Sequence, residues 1–133
     1  MALLRLMLAA AMVAVLSGCE SAPIKAIKEE FKGLFQGYKG EADLASGIKQ
    51  YEDGSYTEAA RLLQSSLDQG LGKNDQVRAH KYLAFIHCVS GRERRCRDEF
   101  RAALKIDPAF ELAANEAGHP IWGPAFRSVK SQK

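Results

Sequence analysis

The 133-residue sequence has little of what marks an enzyme or a membrane-spanning protein. No apolar run reaches the about 20 residues that a spanning helix needs; the longest, residues 6–16, has 11. No phosphate-cradling glycine loop, nucleophile elbow or paired-histidine metal motif is present, so no catalytic, cofactor or metal residues are assigned. There are four prolines, three cysteines, three histidines and one tryptophan, and no low-complexity tract. The formal charge is only +3, too small to argue for a nucleic-acid partner. What remains is ordinary for a globular chain, with 47% apolar and 26% charged residues and a length suited to one domain.

The first residues read as targeting rather than structure. One positive charge, Arg5, precedes the 11-residue apolar run, which is the right length for a secretory signal core. Leu16-Ser17-Gly18-Cys19 follows. That order resembles a bacterial lipobox. The resemblance implies a signal peptide over residues 1–18, cleavage before Cys19, and acyl chains such as palmitate on that cysteine. Two or more such chains hold a protein at a membrane without a spanning helix. Glu20 after the cysteine resembles lipoproteins sorted to the outer membrane, so the expected location is the bacterial envelope, lipid-anchored and facing the periplasm.

The stretch 78–108, RAHKYLAFIHCVSGRERRCRDEFRAALKIDP, organises the rest. Tyr82, Leu83, Phe85, Ile86 and Val89 recur as one broad helical face. Ser90-Gly91 breaks the pattern, and Phe100, Ala103, Leu104 and Ile106 start a second one. Asp107-Pro108 ends it, because the residue before proline is pushed out of the helical region. Two helices with a short turn form an antiparallel hairpin.

This hairpin resembles a tetratricopeptide repeat, a unit of about 34 residues. Leu83-Ala84, the turn glycine Gly91, Cys96, Phe100, Ala103 and Pro108 match its fingerprint; His87 stands where an aromatic is usual. Residues 41–70 form a second, weaker copy. Gly47, Gly54, Tyr56, Ala59, Leu63 and Ser66 are in register, whereas Asp43, Ser46 and Gln50 depart from it. Ser55 and Glu58 have the spacing of a capping box. The turn glycines are three residues further apart than the repeat length; the extra residues are placed in the loop 69–75, with Asn74 or Asp75 capping the next helix. The fold class is therefore all-α, with about two tetratricopeptide-like hairpins over 41–108, an N-terminal amphipathic helix and a short C-terminal capping helix. The resemblance implies a groove, lined by Leu44, Ile48, Tyr51, Lys81 and Phe85, that holds a protein or peptide partner.

The flanking segments read as covers. In residues 19–40 an apolar stripe of Ile24, Ile27, Phe31, Leu34, Phe35 and Tyr38 either caps the repeats or lies on the membrane or a partner. In 109–133, Pro120 and Pro124 forbid one long helix, Phe126 and Val129 point inward, and Trp122 either plugs the far end of the stack or forms an exposed hot spot.

Cys88 and Cys96 flank the hairpin corner at comparable distances from it, so they can face each other. In an oxidising compartment this favours a disulfide. Two buried thiols at small-residue sites, or a metal site with His80 or His87, are the alternatives. The run Arg92, Arg94, Arg95, Arg97, Arg101 reads as a solvated outer face, with contact to anionic headgroups or an acidic partner as the second reading. Together these features lead to a non-enzymatic binding module serving an envelope assembly. The alternative is a structural lipoprotein whose groove is filled by itself.

Overall fold

Residues at the corners decide where each helix ends. Gly54 and Gly91 have φ of 78° and 71°, the left-handed region that a side chain disfavours, and each closes a tight turn between two helices. A computed structural model describes residues 40–132, and these fall in one compact unit. They form six helices and no strand: α1, whose described part covers residues 40–52, α2 (Tyr56–Gln69), α3 (Lys73–Val89), α4 (Glu93–Ile106), α5 (Ala114–Ala117) and α6 (Trp122–Lys130). The architecture is all-α and repeat-like, with the hairpins α1–α2 and α3–α4 in tandem and a folded-back tail. The expected signal peptide over residues 1–18, Cys19 and the stripe from Ile24 to Tyr38 lie outside the described residues.

Helix α3 is the centre. Its buried residues, Val77, Ala79, Leu83, Ala84, Phe85, Ile86 and Cys88, lie on more than one side because it packs against both α2 and α4. The outer helices bury single stripes: Ala59, Leu63 and Ser66 on α2, and Cys96, Phe100, Ala103 and Leu104 on α4. Small residues sit where helices approach. Ala59, Ala84, Cys96 and Ala103 have no exposed surface, and a Cβ on Gly47 would stand 2.9 Å from Leu63 Cγ. One core joins Leu44, Ala59, Leu63, Leu71, Ala79, Leu83 and Ile86. The other joins Ala84, Phe85, Cys88, Cys96, Phe100, Leu104, Leu112, Phe126 and Val129. Each large apolar side chain buried this way contributes roughly 1.5–3 kcal/mol.

Several local expectations hold and others are corrected. The Cys88–Cys96 disulfide is formed, with the Cα atoms 5.1 Å apart across the α3–α4 turn. Proline ends α4 as expected, with Asp107 extended at φ −129°. In the tail, Phe126 and Val129 are buried and Pro124 lies in the first turn of α6. The Ser55–Glu58 capping box is not made. Ser55 is the N-cap but makes no side-chain cap bond; its N–H, which Glu58 would have accepted, goes to the carbonyl of Gln50 at 2.8 Å, and the Glu58 carboxylate pairs with Arg61 at 2.6 and 2.9 Å. Charge-assisted bonds of that kind are the stronger choice. The loop before α3 is shorter than expected: the N-cap is Gly72, and Asp75 inside the first turn pairs with Arg78 at 2.9 Å instead of capping.

Candidate functional site

The turn into α2 and the adjoining sides of α1 and α3 carry a row of rings. Tyr56, at the start of α2, lies 5.6 Å from Tyr51 at the end of α1. Tyr51 reaches Tyr82 at 5.1 Å and Phe85 at 6.3 Å, both on α3 and one turn apart. Phe85 is stacked against Trp122 at 4.3 Å, and Trp122 against His119 at 3.2 Å with the rings nearly parallel. Six side chains from α1, α2, α3 and the tail thus form one continuous aromatic track. Offset and edge-to-face pairs of this kind add about 0.5–1.5 kcal/mol each beyond burial.

The tail closes one end of the track. Trp122 Nε1 donates to the carbonyl of Glu116 at 2.9 Å. The Glu116 carboxylate receives Lys81 Nζ at 2.6 Å through one oxygen and the backbone N–H of Ala113 at 3.0 Å through the other. Lys81 also lies 4.8 Å over the Tyr82 ring. Both charged side chains of the Lys81–Glu116 pair are more than four-fifths covered, so removing either leaves an uncompensated buried charge.

The five residues expected to line the groove divide accordingly. Leu44 and Phe85 are each 2% exposed and belong to the two cores, so neither is available to a partner. Lys81 is engaged by the tail. Ile48 and Tyr51 are half-buried and keep an accessible side. The open part of the face is therefore Ile48, Tyr51, Tyr82 and Tyr56, the last 40% exposed. Burial, with Tyr56, Tyr82 and Glu116 nearby, pushes the Tyr51 phenol up to about 12, so it stays a hydrogen-bond donor throughout the physiological range. Tyr82 was legible as a neighbour of Phe85 at helical spacing. Glu116 carried no signal, because its partner is on another helix.

Two other places merit description. A cleft of ≈ 450 Å³ is lined by Leu112 and Phe126 with Arg127 and Lys130 at its rim. Both cations are already held, Arg127 by the carbonyl of Ala117 and Lys130 by that of Phe110 and by Glu111. His80 Nδ1 meets the Glu99 carboxylate at 2.7 Å, while the buried Nδ1 of His87 has no hydrogen-bond partner. Among the described residues no group of three or more His, Cys, Asp or Glu could hold a metal ion, and no helix is long and apolar enough to cross a membrane.

Comparison of the chain with protein-family models, curated proteins and solved structures gave no match.

Proposed function

We propose that the chain is a lipid-anchored, tetratricopeptide-like interaction module on the periplasmic side of a bacterial envelope. It serves as an accessory or scaffold of an assembly for secretion, pilus formation or outer-membrane and cell-wall biogenesis. It acts by binding a protein segment rather than by catalysis. The observation that carries this reading is the open half of the aromatic track. Ile48, Tyr51, Tyr82 and Tyr56 form an apolar strip that carries three phenol hydroxyls, which suits a peptide that offers an apolar side chain and backbone carbonyls. Anchoring rests on the residues Leu16-Ser17-Gly18-Cys19.

The self-filled reading has its own support, since Trp122 and Glu116 occupy the other half of that face. In this reading the filling comes from the tail, while residues 19–39 lie outside the described residues. Pull-down from crosslinked envelopes separates the two. Tyr51→Glu combined with Ile48→Glu places charge on the open strip while leaving Phe85 in the core. Loss of a specific protein from the captured set is expected; an unchanged set would leave the structural reading. For the anchor, Cys19→Ser is expected to move the protein out of the detergent-phase membrane fraction, and persistence there would contradict acylation.

A further inference from the structure

The eight arginines of the described residues fall into two groups. Five are held: Arg61 by Glu58, Arg78 by Asp75, Arg97 by Glu93, Arg101 by Asp98, and Arg127 by the carbonyl of Ala117. The side chains of the other three, Arg92, Arg94 and Arg95, make no ion pair or hydrogen bond and are exposed. All three crowd the start of α4, Arg92 being its N-cap. That end of a helix carries a partial positive charge, where acidic residues are favoured and cations are not. The only acidic residue of that turn, Glu93, faces Arg97 at 3.4 Å. Folding alone gives no reason to gather unpaired guanidinium groups there.

The surroundings narrow what they would meet. The arginines line an open recess of ≈ 470 Å³. It shares Gly91 and Glu93 with a second recess of ≈ 340 Å³, whose far wall is Ile121 and Pro124. Ile121 is 50% exposed, the most exposed large apolar side chain among the described residues. Free guanidinium groups beside a protruding aliphatic side chain match a surface with phosphates at one level and hydrocarbon beneath it. We propose that the α3–α4 corner, through Arg92, Arg94, Arg95 and Ile121, docks on the headgroups of an anionic lipid bilayer. The arginines hydrogen-bond the phosphate oxygens, and Ile121 enters the boundary with the acyl chains. This contact is made by the folded domain and does not require Cys19 to be acylated. It would set how the domain faces the membrane whatever holds the N-terminus.

The test uses the full chain reconstituted into vesicles of phosphatidylcholine, or of phosphatidylcholine mixed with phosphatidylglycerol, with amide hydrogen exchange followed over residues 88–97. Exchange is expected to slow severalfold in the anionic vesicles. The slowing should disappear on raising salt, in the Arg92→Gln, Arg94→Gln, Arg95→Gln chain, and in part in Ile121→Ser. The arginine variant is expected to melt no lower than the wild type, so lost protection cannot be lost folding. Equal exchange in the two vesicle types, or slowing that survives the triple substitution, would overturn the proposal. Slowing by inorganic phosphate without vesicles would assign the corner to a soluble anion. Slowing only on addition of acidic envelope proteins would assign it to a protein partner. Either of these results also overturns it.

Discussion

Trp122 lies against Phe85 with ring centroids 4.3 Å apart and an interplanar angle of 22°. The contact joins the far end of the chain to the middle of its central helix and buries the side chain that a two-repeat groove would have exposed. The neighbouring Lys81–Glu116 pair fixes the same segment by charge. The tail is therefore part of the proposed binding face, and what that face could accept is set in part by residues outside the two hairpins.

Trp122→Ala is expected to cost about 3 kcal/mol, since it removes a large ring from a packed stack and frees the Glu116 carbonyl. Trp122→Phe keeps a ring on Phe85 and loses only the indole hydrogen bond, so about 1 kcal/mol is expected. Urea unfolding followed by far-ultraviolet circular dichroism measures both, because the sole tryptophan is the residue being changed.

The Cys88–Cys96 bridge closes a loop with a sequence separation of 8. Loop-closure entropy for so short a segment gives about 2.5 kcal/mol of stabilisation. The Cys88→Ala, Cys96→Ala chain is expected to lose about that much and to stay helical, since the α3–α4 interface is otherwise intact. A nonreducing mass measurement should find two fewer hydrogens than in the reduced chain.

Burial holds the His87 imidazole below its ordinary value, and Arg92 and Arg95 act in the same direction against Glu99. Between that lowered value and 6.5 the unfolded chain takes up a proton that the native chain refuses. Stability from this residue is therefore complete above 6.5 and falls as pH drops through the folded-state value. His87→Phe removes the unpartnered Nδ1 and the titration together. It is expected to be more stable at pH 7 by about 1 kcal/mol and to lack this part of the acid slope. Urea midpoints across the range test it, with His80 and Glu99 retained in both chains.

Arg94→Glu puts an acidic side chain at the positive end of α4. A gain of about 0.5 kcal/mol is expected at low ionic strength, shrinking with added salt. A loss of stability in thermal melts would show that the arginine makes a structural contact after all.

Much of the architecture was legible because the signals are local. Gly91 needed a positive φ, Ala84 and Cys96 needed to be small where α3 meets α4, and Pro108 had to end a helix. Each follows from residues within one hairpin. The cysteine pair was legible for the same reason, lying at comparable distances from its corner. The groove was not, because Phe85 is covered by a tryptophan from beyond two further turns, and nothing near Phe85 announces it. The Ser55–Glu58 box failed for a different reason. The Ser55 N–H is taken by the carbonyl of Gln50 and the Glu58 carboxylate by Arg61, and the spacing rule considered neither.

Helix α3 contributes to both cores, Ala79, Leu83 and Ile86 to one and Ala84, Phe85 and Cys88 to the other. Among the described residues outside those cores, only Tyr51 and Tyr82 pack against both. Those two phenol rings also border the open strip. Besides the continuous helix α3, the coupling between the hairpins thus runs through the same rings that a visiting segment would touch. A ligand seated there would tie the two halves together, and its arrival would be felt as a sharper, more nearly all-or-none melting of the whole domain.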